Sequence, residues 1–185
     1  MANNKNNVSV GKPKIGGAVW RAPSGTTAPA DATSTLEGFV CMGYVSTDGM
    51  VNSNNKTITE IKAWGGDTVA VPVTNHSDTF TGTFIESLNP ETLKAAYGDD
   101  NVSGSLSSGI TVQANGKEDT EHVYVIDQEL NGNVKKRIVI SAGLITNVGD
   151  VTYKDDTVIG YPLTITALPD ANENTHYEYM ASATS

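Results

Sequence analysis

The sequence predicts a mainly β protein, a β-sandwich or open barrel of about ten strands with one short α-helix on its flank. Short apolar or alternating segments recur along the chain and are separated by turn-forming residues, which is the pattern of β-strands. The composition agrees, since 18 glycines, 6% aromatic residues and abundant Thr, Ser and Asn favour strands and turns over helices. A complete set of helix signals occurs in one segment, residues 89–98.

The helix is predicted to begin at an Asn-Pro pair. Asn89 can accept a hydrogen bond from a first-turn amide, and Pro90 suits the first helical position because an N–H would have no partner there. Gly98 can adopt the left-handed conformation that ends a helix. Two turns of helix are marginal alone, so this helix should dock on the sheet. The expected docking side chains, of which the first two form a hydrophobic staple, are Leu88, Leu93, Ala96 and Tyr97.

The rest of the chain is interpreted as one domain of 185 residues built from strands and loops. Residues 1–14 lack apolar periodicity and are predicted to form a flexible arm, and residues 22–37 form a long loop rich in turn formers. Residues 170–185 form a polar tail in which a short terminal strand or a docking segment would fit. The predicted strands are residues 18–21, 39–46, 57–63, 68–74, 80–88, 110–112, 122–128, 134–141, 144–148 and 157–168. The continuous apolar run 123–126 predicts a strand covered on both faces, and residues 131–133 predict the turn of its hairpin.

Two features predict a projection and open edges of the sheet. A pair of residues typical of a tight turn is followed by an Asn-rich segment, which predicts a projecting hairpin tip. The tip residues are Asp48, Gly49, Asn52, Asn54 and Lys56. Pro72 and Pro162 lie in predicted strands but lack an N–H, so Pro72 should mark an edge and Pro162 an edge or a bulge. An unpaired strand edge is a hazard unless a partner covers it.

The charge balance restricts the partners of the protein. The net charge is −9 and the chain has only 12 Lys and Arg, which argues against tight binding of nucleic acid because phosphate contacts need clustered cations. The single cysteine, Cys41, cannot form an internal disulfide and is interpreted as a small buried hydrophobe. The N-terminal residues lack the apolar core of an export signal, and no run of 18 apolar residues occurs. We therefore expect synthesis in the cytoplasm and no membrane span.

The sequence contains no pattern that predicts catalysis or metal binding. Motifs for a serine nucleophile, a phosphate-binding loop or a dithiol are absent from it. The acidic pairs 99–100 and 155–156 are interpreted as turn residues, and the basic cluster 135–137 as the partner of Glu129 across a hairpin. We expect no enzymatic activity, no metal and no cofactor. Surface or strand-face positions without zinc-ligand spacing are expected for His76, His122 and His176.

Four stretches, in order, resemble the major tail tube protein of long-tailed, non-contractile bacteriophages. They are GYVSTDG at residues 43–49, IKAWGGDTV at 61–69, FIESLNPETLKAAYGDDNV at 84–102 and IGYPLTITALPD at 159–170. The last stretch is similar to the final core strand of that family. The resemblance covers residues 15–179, and residues 1–14 lie outside it.

The resemblance implies that six subunits close a ring, that rings stack into a tube, and that the tube carries DNA from the capsid to the host. It implies a place in the virion and partners that include a tape measure protein and tail terminator or tip proteins. Some relatives carry an additional immunoglobulin-like domain, which we expect to be absent because the sequence ends at Ser185. The acidic balance agrees with DNA that crosses the lumen without tight binding. The tip and proline residues named above become candidate contacts between subunits or rings.

Two alternatives remain at this point. A β-sandwich binding or adhesion module would expose an aromatic platform, and Trp20, Trp64 and the seven tyrosines are spread along the sequence without clustering. A hydrolase would need a base together with a nucleophile or a metal at one place, and no segment brings such groups together.

Overall fold

The structure is a computed structural model that describes residues 2–182. Its helices are α1 (Pro90–Tyr97) and two 3₁₀ turns at Lys5–Asn7 and Asp99–Asn101. Among the described residues there are 13 strands. They are β1 (Lys12–Pro13), β2 (Val19–Pro23), β3 (Val40–Cys41), β4 (Val45–Ile58), β5 (Ile61–Lys62), β6 (Thr68–Ala70), β7 (Val73–Phe84), β8 (Val102–Ser105), β9 (Gly109–Val112), β10 (His122–Leu130), β11 (Val134–Val148), β12 (Tyr161–Ala167) and β13 (Tyr177–Ser182).

Nine of these strands form one antiparallel sheet. Its main order is β3-β2-β10-β11-β12-β7-β4, with β1 paired to β10 and β13 paired to β11. The pairs β5–β6 and β8–β9 form two separate two-stranded sheets. The prediction of a mainly β protein with one flanking α-helix is confirmed. The hydrophobic core lies between the inward face of this sheet and α1, where Leu93, Tyr124 and Ile165 belong to one buried cluster.

The hairpin of β10 and β11 is the centre of the sheet. The continuous apolar run 123–126 is buried on both faces, as its sequence predicted, and the connecting turn places Gly132 and Asn133 at positive φ. Residues 134–148 form one strand and not the two that were predicted. Position 143 of this strand requires glycine, because a Cβ there would lie 2.7 Å from the Tyr124 ring. The first half of β11 pairs with β13 and its second half with β12.

Helix α1 begins as predicted. The Asn89 side chain accepts a hydrogen bond from the Glu91 amide at 3.0 Å, and Pro90 occupies the first turn. Gly98 has the expected positive φ of 92°, but its ψ of 146° is extended, so the chain turns into the 3₁₀ segment instead of forming a left-handed stop. The Asn101 amide then donates to the Tyr97 carbonyl at 2.6 Å.

The docking face of α1 differs from the predicted one. Leu93 is buried, with 5% exposure, whereas Leu88 is 62% exposed, so the predicted hydrophobic staple is wrong. Ala96 and Tyr97 pack against the core while remaining partly exposed. The sequence pattern missed Thr92, which is fully buried and donates to the Met42 carbonyl at 2.7 Å. The hydroxyl is tolerated because this hydrogen bond satisfies it.

Residues 39–46 do not form the continuous strand that was predicted. Gly43 has a φ of 84° and interrupts it, and the Glu86 carboxylate accepts a hydrogen bond from the Tyr44 amide at 2.9 Å. A side chain at position 43 would be strained at this positive φ and would also displace the Glu86 carboxyl, so glycine suits this position. Cys41 is a free thiol that is half-buried, so its predicted burial is partial.

Both ends of the described chain are docked in part. Within the predicted arm 1–14, Lys12 and Pro13 pair with β10, and the Lys14 ammonium lies 3.1 Å from the Asp127 carboxylate. The arm is thus not free over its whole length. The predicted terminal strand is confirmed as β13, and residues 183–185 of the predicted tail, like Met1 of the arm, lie outside the described residues.

Candidate assembly surface

A long hairpin of β4 and β7 extends beyond the rest of the sheet. The two strands pair from Val45 opposite Phe84 to Ile58 opposite Val73. On its other side, β7 is covered by β12 only from Thr79 onward. Every residue from 51 to 77 is exposed. This segment therefore has regular secondary structure but no core of its own.

The end of this hairpin is the segment 59–72, which we call the tip. Backbone hydrogen bonds close it, from the Thr59 amide to the Pro72 carbonyl and from the Ala63 amide to the Asp67 carbonyl. Trp64 lies at its corner and is fully exposed. Further exposed apolar side chains on the tip and the adjoining strand ends are Ile58, Ile61, Val69, Val71 and Val73.

The projection lies further along the chain than the sequence predicted. Asp48 and Gly49 lie in a bulge of β4, between Val45 and Met50, so the predicted turn is wrong. The φ of 71° at Gly49 produces a bulge here because β4 continues its pairing with β7 afterwards. A projecting hairpin does exist, but its end is the tip 59–72 and not residues 48–56.

The Asn-rich residues form one side of the paired hairpin. Asn52 donates from its amide to the Asp78 carboxylate at 2.7 Å and to the Thr79 carbonyl at 3.1 Å. Asn54 contacts the ring of His76 at 2.9 Å, and Lys56 is exposed opposite the same histidine. The cross-strand contacts explain why polar residues form a strand there. Their predicted role as subunit contacts stays a prediction.

The two prolines have different surroundings. Pro72 lies between β6 and β7 and belongs to neither, so the predicted edge strand over 68–74 is wrong; its carbonyl accepts from the Thr59 amide at the base of the tip. Pro162 lies in β12, between β11 and β7, so the edge alternative is wrong for it, whereas the bulge alternative agrees with a register shift in the β11–β12 pairing between Ile145 and Asn147. Its missing N–H is tolerated near the strand end, where its carbonyl accepts from the Gly149 amide at 2.7 Å. Contacts of either proline with other subunits remain predictions.

A buried carboxylate, Asp78, lies at the root of the hairpin. Besides Asn52, it accepts hydrogen bonds from the Thr175 hydroxyl at 2.6 Å and from Nδ1 of His176 at 2.5 Å. Burial alone would raise the pKa of Asp78, but the hydrogen bonds outweigh this effect and hold its pKa below the ordinary value. No sequence signal indicated this residue, because its partners are distant along the chain.

A second polar cluster connects α1 to the centre of the sheet. The guanidinium of Arg21 contacts Asp99 at 2.5 Å and Glu91 at 3.2 Å, and Nε2 of His122 lies 2.8 Å from Asp99. The hydrogen bond from His122, together with the charge and hydrogen bond of Arg21, lowers the pKa of Asp99 to about 2. Asp99 was interpreted as a turn residue and His122 as a surface or strand-face residue. His122 does lie on a strand, but it is buried.

A third cluster anchors the long loop between β2 and β3. Arg137 is buried and binds Asp127 through two hydrogen bonds, and its remaining donor reaches the Ser34 carbonyl at 2.8 Å. The predicted opposition of Lys135 and Glu129 is present in the strand register, and Lys136 instead contacts a residue of β13 at 2.8 Å. The Arg137 contacts therefore hold a loop that the sequence predicted only as irregular.

The described residues contain no group of three or more His, Cys, Asp or Glu side chains arranged to hold a metal ion. Of the three histidines, His76 is exposed, His122 is buried and His176 is half-buried. Within residues 2–182, no helix is long and apolar enough to cross a lipid bilayer. The features that distinguish this surface are the exposed apolar tip and the open edge of β4.

Taken together, a mainly antiparallel β fold, one packing helix and a projecting apolar hairpin are typical of a structural subunit that associates with other chains. The model of a family described as phage tail tube protein matches residues 1–184, and the chain belongs to this family. A search of curated proteins gives no significant match. The protein is accordingly a structural component of the phage tail tube, which assembles from such subunits in the tail of the virion.

Proposed function

We propose that six copies of this protein close a ring, that the rings stack into a tube, and that the tube conducts DNA during ejection from a long-tailed, non-contractile phage. The exposed hairpin 51–77 carries this proposal. This hairpin has regular secondary structure, exposed apolar side chains at its tip and no core of its own. These features are typical of a segment that another subunit covers.

The energetics favour such covering. Burying a large apolar side chain removes it from water with a gain of roughly 1.5–3 kcal/mol. Trp64 and the valines of β6 and β7 would each contribute to that gain at a subunit contact. Association also costs translational and side-chain entropy, so several apolar residues on one projection are needed for a stable contact.

The edges of the sheet support assembly as well. β4 is the last strand of the main order and, within the described residues, has no strand on its outer side. A free edge of 14 residues offers a row of unpaired amides and carbonyls. Pairing with a neighbouring copy would satisfy these groups and join the sheets of adjacent subunits around a ring.

The net charge of −9 supports passage of DNA without tight binding. Clustered lysine and arginine side chains bind phosphate groups. In a basic lumen, each such contact with the DNA would slow the movement of the duplex. A tape measure protein inside the tube and terminator or tip proteins at its ends are the further partners of this proposal.

The experiment is assembly of the purified chain, observed by negative-stain microscopy and sedimentation velocity. The wild type should form rings or tubes whose class averages have sixfold symmetry. Trp64→Ala should remain folded by circular dichroism but should assemble poorly. Tyr153→Ala removes another exposed aromatic side chain, outside the hairpin, and serves as the matched control. A wild type that stays a monomer at high concentration would contradict the proposal, and a positive glycan screen would instead favour an adhesion module.

A further inference from the structure

Asp78 occupies the point where the hairpin leaves the main sheet. The residues before it in β7, Val73–Ser77, are exposed, whereas the Asp78 side chain is 1% exposed. From Thr79 onward β7 is covered by β12 on one side and β4 on the other. Asp78 is thus the last buried residue before the projecting part of the hairpin.

The hydrogen-bond donors to Asp78 come from two separate parts of the chain. Asn52 belongs to β4, the other strand of the hairpin, and donates at 2.7 Å. Thr175 and His176 precede β13 and donate at 2.6 and 2.5 Å to the other carboxylate oxygen. The His176 ring also packs edge-on against Phe80, with 5.2 Å between the ring centroids. One carboxylate therefore connects the hairpin root to the C-terminal strand.

This connection is not supplied by the sheet itself. β13 pairs with β11, and β12 separates β11 from β7, so no strand ladder joins β13 to the hairpin. If residues 175–182 left their place, Asp78 would lose two of its three side-chain donors and keep the one from Asn52. A carboxylate that loses its hydrogen-bond donors is destabilised, so the hairpin root would rearrange with the C-terminal segment.

We propose that Asp78 is a positioning residue for tube assembly, because it couples docking of residues 175–182 to the orientation of the projecting hairpin. While the C-terminal segment is docked, the hairpin has a single orientation towards a second copy of this chain. When the segment leaves, that orientation is lost. This inference rests on the assembly role proposed above. Residues 175–182 would thus control the orientation of the projecting hairpin although they are not part of the hairpin.

Hydrogen exchange of backbone amides tests the coupling in the full-length chain. Thr175→Val and His176→Ala change only the C-terminal segment. They should nevertheless accelerate exchange in the hairpin root, residues 52–56 and 75–78, by about tenfold, the effect of losing a hydrogen bond to a charged group. Asp78→Asn should accelerate exchange in both segments together. Asp170→Asn is the control, since Asp170 bonds only within residues 170–177.

Thr175→Val, His176→Ala and Asp78→Asn should also form tubes more slowly than the wild type while retaining its circular dichroism. If these residues act on stability alone, the variants would lower Tm without changing hydrogen exchange in the hairpin, and this result would overturn the proposal. Accelerated exchange confined to residues 170–182 would also overturn it. Altered exchange in the hairpin with unchanged assembly would overturn it too. If Asp78→Asn does not fold, the other two variants still decide. If the wild type forms no tubes, the proposed function fails, whereas the exchange data still test the coupling separately.

Discussion

Arg137 and Asp127 form a buried two-pronged ion pair across the central hairpin, with Nε and Nη2 of the arginine 2.7 and 2.9 Å from the two carboxylate oxygens. Both side chains are almost fully buried. The two hydrogen bonds fix the angle of the guanidinium, so its third nitrogen points at Ser34 in the loop. The pair thus joins the core of the sheet to a segment without regular structure.

Removing one partner of this pair should destabilise the protein strongly. Arg137→Ala leaves the Asp127 carboxylate buried with only Lys14 as a cation, and the free energy of unfolding should fall by roughly 3–5 kcal/mol. Urea denaturation measures this loss. The double variant Arg137→Met, Asp127→Leu removes both charges and should recover most of the stability. A single variant as stable as the wild type would show that the pair is not a buried one in solution.

The stability should depend on pH through His122. Its Nε2 faces the Asp99 carboxylate and its Nδ1 faces the Thr120 carbonyl at 2.9 Å, so both ring nitrogens have an acceptor and the protonated ring can donate to both. The hydrogen bond to Asp99 raises the pKa of His122 above 6.5, against the opposing effects of burial and of Arg21. The nearby Asp119 carboxyl has a raised pKa because it is buried.

A raised pKa in the folded state means that this stabilisation is complete below pH 6.5 and is lost as the pH rises through the folded-state pKa. His122→Gln should therefore be less stable than the wild type at pH 6, and the difference should shrink as the pH rises above the pKa of His122. Urea denaturation at several pH values checks this. A difference that stays constant with pH would mean that His122 acts by packing alone.

Two leucines, Leu88 before α1 and Leu93 inside it, provide a matched test of the docking face. Leu93→Ala should cost about 2–5 kcal/mol because it opens a cavity against the sheet, and Leu88→Ala should change stability by less than about 0.5 kcal/mol. Thermal or urea unfolding of both variants gives the comparison. Equal losses at the two positions would restore the hydrophobic staple that the sequence predicted and the structure lacks.

Shortening the hairpin should separate folding from assembly. Replacement of residues 60–71 by an Asn-Gly turn removes only exposed residues, so the chain should keep the circular dichroism and Tm of the wild type but form no tubes. Deletion of residues 52–55 differs, because it removes the Asn52 contact to Asp78 and shifts the β4 register, and it should lower Tm. Loss of folding in the first variant would mean that the tip supports the core.

Several local features were predictable because the residue and its partner are near in the chain. The Asn89 cap, the start at Pro90 and the turn at 131–133 were predicted correctly, because capping and turn formation depend on the conformation of a few consecutive residues. The buried strand 123–126 was predicted as well, since a continuous apolar run has few other places to go.

The sequence by itself determined the strand-rich class, the position of the single α-helix and the resemblance to tail tube proteins. Only the tertiary structure decided that residues 48–56 are strand and that 59–72 are the tip. Pairing with β7 supplies the backbone partners of residues 48–56, and an Asn-rich sequence does not indicate such pairing. The same holds for the contact of Asp78 with His176, since a buried carboxylate is stable only where folding brings distant donors to it.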